Sequence, residues 1–169
     1  MLARFLVTAT LAGGLVLSVL NSITAAILPP RYKQFRDPQA VVDTIRTNVS
    51  GNDIYAAPQG LFVSVSLQSR VEGFGPPLAS QIVVEFAVAC GLSLLVLATP
   101  PRSPLQTAGL LGMAGLIAGI ETHFPNWNWA GFPTSYLVAG CGYLAGNWFV
   151  TGLVLGTIRR KLAAGTASR

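Results

Sequence analysis

Charge is scarce in this chain. Its 169 residues include 11 Lys or Arg and 6 Asp or Glu, a tenth of the chain against roughly 25% in ordinary soluble domains. A water-soluble domain of this size would scatter charge through every element, and long stretches here carry almost none. Histidine occurs once, at His123. That excludes bis-histidyl haem ligation and leaves no Ser-His-Asp set beside a nucleophile motif. Cysteine occurs twice, at Cys90 and Cys141, without a C-x-x-C pair. Both read as small apolar residues packed between helices. A disulfide would need their helices adjacent at matching depth, and a metal site would need more ligands with local spacing. No Walker loop or G-x-G-x-x-G turn follows a strand. No run of Lys and Arg interleaved with aromatics suits nucleic acid, so none is expected as a partner. Nor is there the inverted repeat or broken helix pair of a secondary transporter.

Apolar residues are abundant, at 51% of the chain. They gather in four long stretches nearly free of charge: residues 1–28, 80–99, 104–121 and 135–158. A bilayer core needs about 20 mainly apolar residues per helix, and these approach or exceed that. The sequence therefore predicts an all-α membrane protein, a bundle of four transmembrane helices. Residues 29–79 form a small extracytoplasmic α/β cap between helices 1 and 2, and a cytoplasmic tail follows helix 4. The first stretch has an alternative. Arg4 and Ala25-Ala26 fit a cleaved signal peptide, but the apolar run exceeds the roughly 7–15 residues of such a segment, which favours a retained helix.

Charge sets the orientation. Arg4, Arg102, Arg159, Arg160, Lys161 and Arg169 fall on one side with no acidic residue, and the segment 121–134 has no Lys or Arg. The positive-inside rule puts both termini in the cytoplasm. Arg31, Lys33 and Arg36, directly after the first span, argue the other way and are outweighed. The expected setting is a bacterial inner membrane.

The cap has local signals of its own. Asp37-Pro38 reads as an N-cap followed by proline at the first helical position. Val41, Val42, Ile45 and Val49 then recur at helical spacing, giving a helix over 38–50 with Gly51 as its stop. Ile54 to Ala57 suits a short strand. Residues 61–67 alternate, with Leu61, Val63, Val65 and Leu67 on one face, and predict a half-buried strand. Ser103-Pro104 is a second cap-and-proline start.

Small residues mark where helices approach. Lipid tails are as apolar as leucine, so helices associate through close packing and polar contacts. Gly112, Gly115 and Gly119 lie along the third span. Gly142 with Gly146, and Gly152 with Gly156, make two G-x-x-x-G pairs in the fourth. These seven glycines are the expected packing positions, within the bundle or against another chain.

Glu85 is the residue closest to chemistry. An intramembrane carboxylate is expensive and suggests function; the plainer reading is an interfacial group reaching water. Asn21, Asn147, Glu121 and His123 lie at similar predicted depth. They could converge with Glu85 on one polar pocket or make separate interhelical hydrogen bonds. His123, Glu121 and Glu85 lack the His-rich spacing of a metal site, so none is expected. The segment Glu121 to Pro133 reads as an outer loop dense in aromatics. Asn126, Trp127, Asn128 and Trp129 either anchor it at the headgroups or shape a platform for a partner, a lipid or a quinone-like ring.

The run Pro125-Asn126-Trp127-Asn128-Trp129-Ala130-Gly131-Phe132-Pro133, with Gly146-Asn147-Trp148-Phe149 and Gly152-Leu153-Val154-Leu155 after it, resembles a group of small bacterial membrane proteins of unassigned function. Asn52-Asp53-Ile54-Tyr55, Pro58 and Glu85-Phe86 share in the likeness, which covers about half the chain. Many of those proteins have tyrosine where this chain has Ala130. The resemblance implies a bacterial cytoplasmic membrane and nothing catalytic.

The expected function is a non-catalytic structural, assembly or accessory subunit of a membrane complex. Its partners are membrane lipids with other membrane subunits or further copies of itself. The alternative is a binder or carrier of a lipid-soluble ligand or ion, using Glu85, Glu121, His123, Asn147 and the Asn126 to Trp129 segment. No motif calls for a cofactor, and none settles whether the protein is an enzyme.

Overall fold

The computed structural model describes residues 2–27, 34–56, 62–65, 75–100 and 103–167. Their order is α1 (Leu2–Ile27), α2 (Pro38–Asn48), β1 (Asp53–Ala56), β2 (Phe62–Val65), α3 (Gly75–Ala98), α4 (Pro104–Ala130) and α5 (Thr134–Ala167). They form two compact units, one of residues 1–28 with 79–169 and one of residues 29–78.

The smaller unit is built on local chemistry. Asp37 is extended, and its carboxylate accepts from the Ala40 N–H at 3.0 Å, with Pro38 opening the helix. This satisfies an orphan donor of the first turn. The helix ends at Asn48, before the expected Gly51. Val49 takes the extended conformation that a β-branched residue favours, and its N–H returns to the Ile45 carbonyl. The Tyr55 hydroxyl accepts from the Ser50 and Gly51 N–H groups and donates to the Gly51 carbonyl. That knot closes the turn into β1. β1 and β2 pair antiparallel, Tyr55 opposite Val63. Val63 and Val65 are half-buried and Ser64 exposed. Leu61, Leu67, Arg31 and Lys33 lie outside the described residues.

Among the described residues three helices are long and apolar enough to cross a membrane: Leu2–Thr24, Pro77–Ala98 and Thr134–Gly165. α4, at 27 residues, has the length, but Gln106, its glycines and the Glu121 to His123 run dilute its apolar content. The core is small and mostly aliphatic: Phe5, Ala9, Leu92, Val96, Leu111 and Leu155. Much larger apolar faces point outward. On α1 the row Leu2, Val7, Leu11, Leu15, Val19 and Ile23 is 47–65% exposed.

α4 and α5 form an antiparallel hairpin, closely packed where glycines meet backbone. A Cβ added at Gly115 would stand 2.5 Å from the Leu144 carbonyl oxygen. At Gly119 it would stand 2.8 Å from Cys141 Cα, at Gly152 2.6 Å from Ala108 Cα, and at Gly156 2.7 Å from Pro104 Cα. Gly112 rests against Phe149. Gly142 and Gly146 are exposed and, among the described residues, face nothing within 4 Å, so they lie off this seam. α1 approaches α3 and α5 at Gly13, where Ala89 and Leu155 close in, and Phe86 lies over Gly14.

Three boundaries in the larger unit's helices depart from expectation. α3 begins at Gly75 rather than at 80, so the residues 75–77 expected in a loop open the helix. α4 runs through Pro125 to Ala130, so the aromatic segment is its last turns rather than a loop. Pro125 costs one intrahelical bond and crowds the carbonyl four residues back, yet the helix continues, and the stop is Gly131, left-handed at φ 70°. The Phe132 N–H returns to the Asn126 carbonyl. α5 runs to Ala167, past the expected end at 158. At the opposite end of α4, Ser103 accepts from the Gln106 N–H while the Gln106 amide accepts from the Ser103 N–H, a reciprocal cap.

Candidate functional site

Among the described residues of the helical unit, Glu85, Asn147, Ser93, Thr107 and Thr151 are the buried polar ones. Three of them are satisfied within their own helix. Ser93 donates to the Ala89 carbonyl, Thr107 to that of Ser103 and Thr151 to that of Asn147. Such back-bonding spends a hydroxyl on its own turn. Glu85 and Asn147 instead reach across helices.

They meet at Asn21. Its amide nitrogen donates to Glu85 Oε1 at 2.5 Å, and its carbonyl oxygen accepts from Asn147 Nδ2 at 2.8 Å and from the Tyr143 hydroxyl. Gln81 Nε2 adds a second donor to Glu85 Oε1 at 3.2 Å. One asparagine on α1 thus ties α3 to α5. Glu85 is only 4% exposed, and both donors to its carboxyl are neutral amides. Two of the participating pairs share a helical face by spacing alone: Gln81 with Glu85, and Tyr143 with Asn147, each four apart. Tyr143 and Gln81 are the residues that sequence reasoning missed. Their signal was that spacing next to a rare buried polar group.

The remaining expected site residues lie elsewhere. Glu121 is exposed, because it stands two residues, about half a turn, beyond Gly119 of the α4–α5 seam. His123 is four beyond Gly119 and therefore back on the seam. Its Nδ1 bonds the Gly119 carbonyl at 2.9 Å, its ring covers Gly140, and it meets the Tyr136 ring at a tilt of 52° with centroids 5.1 Å apart. Tyr136 also meets Phe132 at 4.7 Å. Trp127 donates to Thr134 Oγ1 at 3.2 Å and packs on Phe124. Asn126 bonds the Thr122 carbonyl of its own helix. Asn128 is exposed, and Trp129 is 86% exposed.

The expected polar residues therefore divide into two groups. Asn21, Glu85 and Asn147 join at the α1–α3–α5 junction. His123, Trp127 and their aromatic neighbours brace the turn between α4 and α5. Among the described residues no group of three or more His, Cys, Asp or Glu could hold a metal ion. Cys90 and Cys141 are free thiols. The chain matches no protein-family model, no curated protein and no solved structure.

Proposed function

We propose that this chain is a four-span integral protein of a bacterial inner membrane, both ends cytoplasmic, acting as a structural, assembly or accessory subunit of a membrane complex. α4 joins the spans by its pairing. Contacts with α5 run from Pro104 beside Gly156 to His123 beside Gly140, and a helix paired along that length shares its partner's depth. The outward apolar rows of the helices suit lipid rather than water.

One observation carries the non-catalytic reading. The buried side chains closest to chemistry are engaged with one another, Asn21 using both ends of its amide on Glu85, Tyr143 and Asn147. Such an arrangement fixes helices; it holds no nucleophile beside a base. The outward Gly142 and Gly146, which meet nothing within 4 Å among the described residues, offer a close-approach face to a neighbouring helix. Extraction in mild detergent followed by native sizing tests this. A complex or oligomer is expected, and a bare monomer with no co-purifying protein would count against it.

A second reading rests on Glu85. A buried carboxyl whose donors are both neutral is a seat for an ion or a polar ligand in the membrane. Glu85→Gln and Asn147→Ala test it. Unchanged ion or ligand content in both variants would remove this reading.

A further inference from the structure

Two hydroxyls on α1 differ from their neighbours. Ser22 and Thr24 donate to carbonyls four residues back, and so does Ser93 on α3. Thr10 Oγ1 and Ser18 Oγ are enclosed and, among the described residues, have no hydrogen-bond partner. A buried polar atom left unpaired is destabilising, and each instance in a native fold calls for an explanation.

Helical spacing puts both on one stripe. Thr10, Gly14, Ser18 and Asn21 follow at steps of four, four and three, which keeps them within about 40° of Gly14 around the axis. Contacts show which way the stripe looks. The Phe86 ring lies over Gly14, and Asn21 bonds Glu85, so it looks toward α3. The two helices run antiparallel there, Asn21 level with Glu85 and Gly13 with Ala89. That register sets Ser18 level with the turn of Glu85 and Phe86, and Thr10 nearer Ser93. The Phe86 ring over Gly14 separates the two hydroxyls, with Ser18 on the Glu85 side.

Glu85 is 4% exposed, and its two donors, the Asn21 and Gln81 amides, both fall on Oε1. The described basic residues of the larger unit are Arg4, Arg159, Arg160 and Lys161. Along α5, Arg159 stands about 18 Å past Asn147, and along α1, Arg4 stands about 26 Å before Asn21. A buried carboxylate that far from these cations is costly, and a small cation from outside the chain removes the cost.

We propose that Glu85 and Ser18 hold one alkali cation. Glu85 Oε2 supplies the charge, Ser18 Oγ a neutral oxygen, and water the rest of the shell. One carboxylate balances one positive charge. A divalent ion would want a second, and Glu121, the other acidic residue of this unit, is exposed and apart. The Asn21 and Gln81 amides hold the carboxyl from its opposite oxygen. Phe86 closes the seam on the Thr10 side, so the ion enters past Gln81, exposed one turn away. The proposal rests on the second reading above, that Glu85 seats an ion or polar ligand, and names the ion.

The test is thermal unfolding of the intact protein in mild detergent, at fixed pH and ionic strength, in sodium, potassium or choline chloride. Sodium or potassium should raise the midpoint over choline, which is too bulky for the seam, by about 2–4 °C at a few times its Kd. Each variant is compared with itself in choline, so a change in basal stability cancels. Glu85→Gln should abolish the rise and Ser18→Ala should weaken it. Thr10→Val, which removes the other unpaired hydroxyl beyond Phe86, should keep it. Equal midpoints in the three salts would overturn the cation and leave Glu85 open to a neutral polar ligand. A full rise in Ser18→Ala, or its loss in Thr10→Val, would overturn the site as built. A full rise in Glu85→Gln would overturn the proposal together with the reading beneath it.

Discussion

Asn21 is a small side chain with three interhelical bonds. Replacing it with alanine strips a donor from Glu85 and an acceptor from Tyr143 and Asn147 at once. Interhelical bonds in a membrane average about 0.6 kcal/mol each, so Asn21→Ala should cost about 2 kcal/mol in detergent unfolding. Glu85→Gln keeps an acceptor oxygen for Asn21 and Gln81 and nearly the same volume. It should cost less than about 1 kcal/mol, and a larger loss would mean that the carboxylate charge itself holds the junction. Asn21, Glu85 and Asn147 stood out in the sequence because polar groups are rare in such spans. Tyr143 did not, since a tyrosine in an apolar run reads equally well as belt or core. Which of these polar groups touch was not legible. Contact depends on how each helix is rotated about its axis, and helices apolar on all sides give no preferred face.

At the scale of elements, glycine makes the same point from the packing side. Gly115 and Gly119 form one G-x-x-x-G pair and Gly142 with Gly146 another, indistinguishable by pattern. The first pair is buried in the α4–α5 seam, and the second is exposed. Gly115→Leu should therefore force the hairpin apart and lower stability by about 1–3 kcal/mol. Gly142→Ala should leave monomer stability within about 0.5 kcal/mol and act, if anywhere, on association measured by native sizing. Gly131→Ala places a side chain at φ 70° and should cost about 1–2 kcal/mol, checked by the same unfolding assay. Helix starts were legible where a cap precedes proline: Asp37-Pro38 and Ser103-Pro104 both stand at N-termini. Helix ends were not. The segment around Pro125 read as a loop, yet α4 continues past it, the helix bearing one lost backbone bond and the ring's crowding of the carbonyl four residues back. Gly131 stops it because the left-handed turn lets the next amides fold back on Asn126.

For the whole molecule, the uneven charge yields a topological prediction. If the proposed orientation holds, with both ends in the cytoplasm, tags at residues 1 and 169 are shielded from protease in intact spheroplasts and cut after lysis. A tag cut before lysis would reverse the orientation, and tags on opposite sides would mean an odd number of spans. The sequence alone determined the solvent, because apolar runs of membrane length with so little charge have few other uses, and it marked the polar residues such a solvent tolerates poorly. Only the tertiary structure decided that Asn21, rather than Glu85, is the centre of the polar junction, and that Glu121 and His123 lie apart from it. It also decided which glycines meet a neighbour. The reason is physical: burial in lipid depends on composition summed along a segment, whereas contact depends on the rotation and register of each helix, which packing sets.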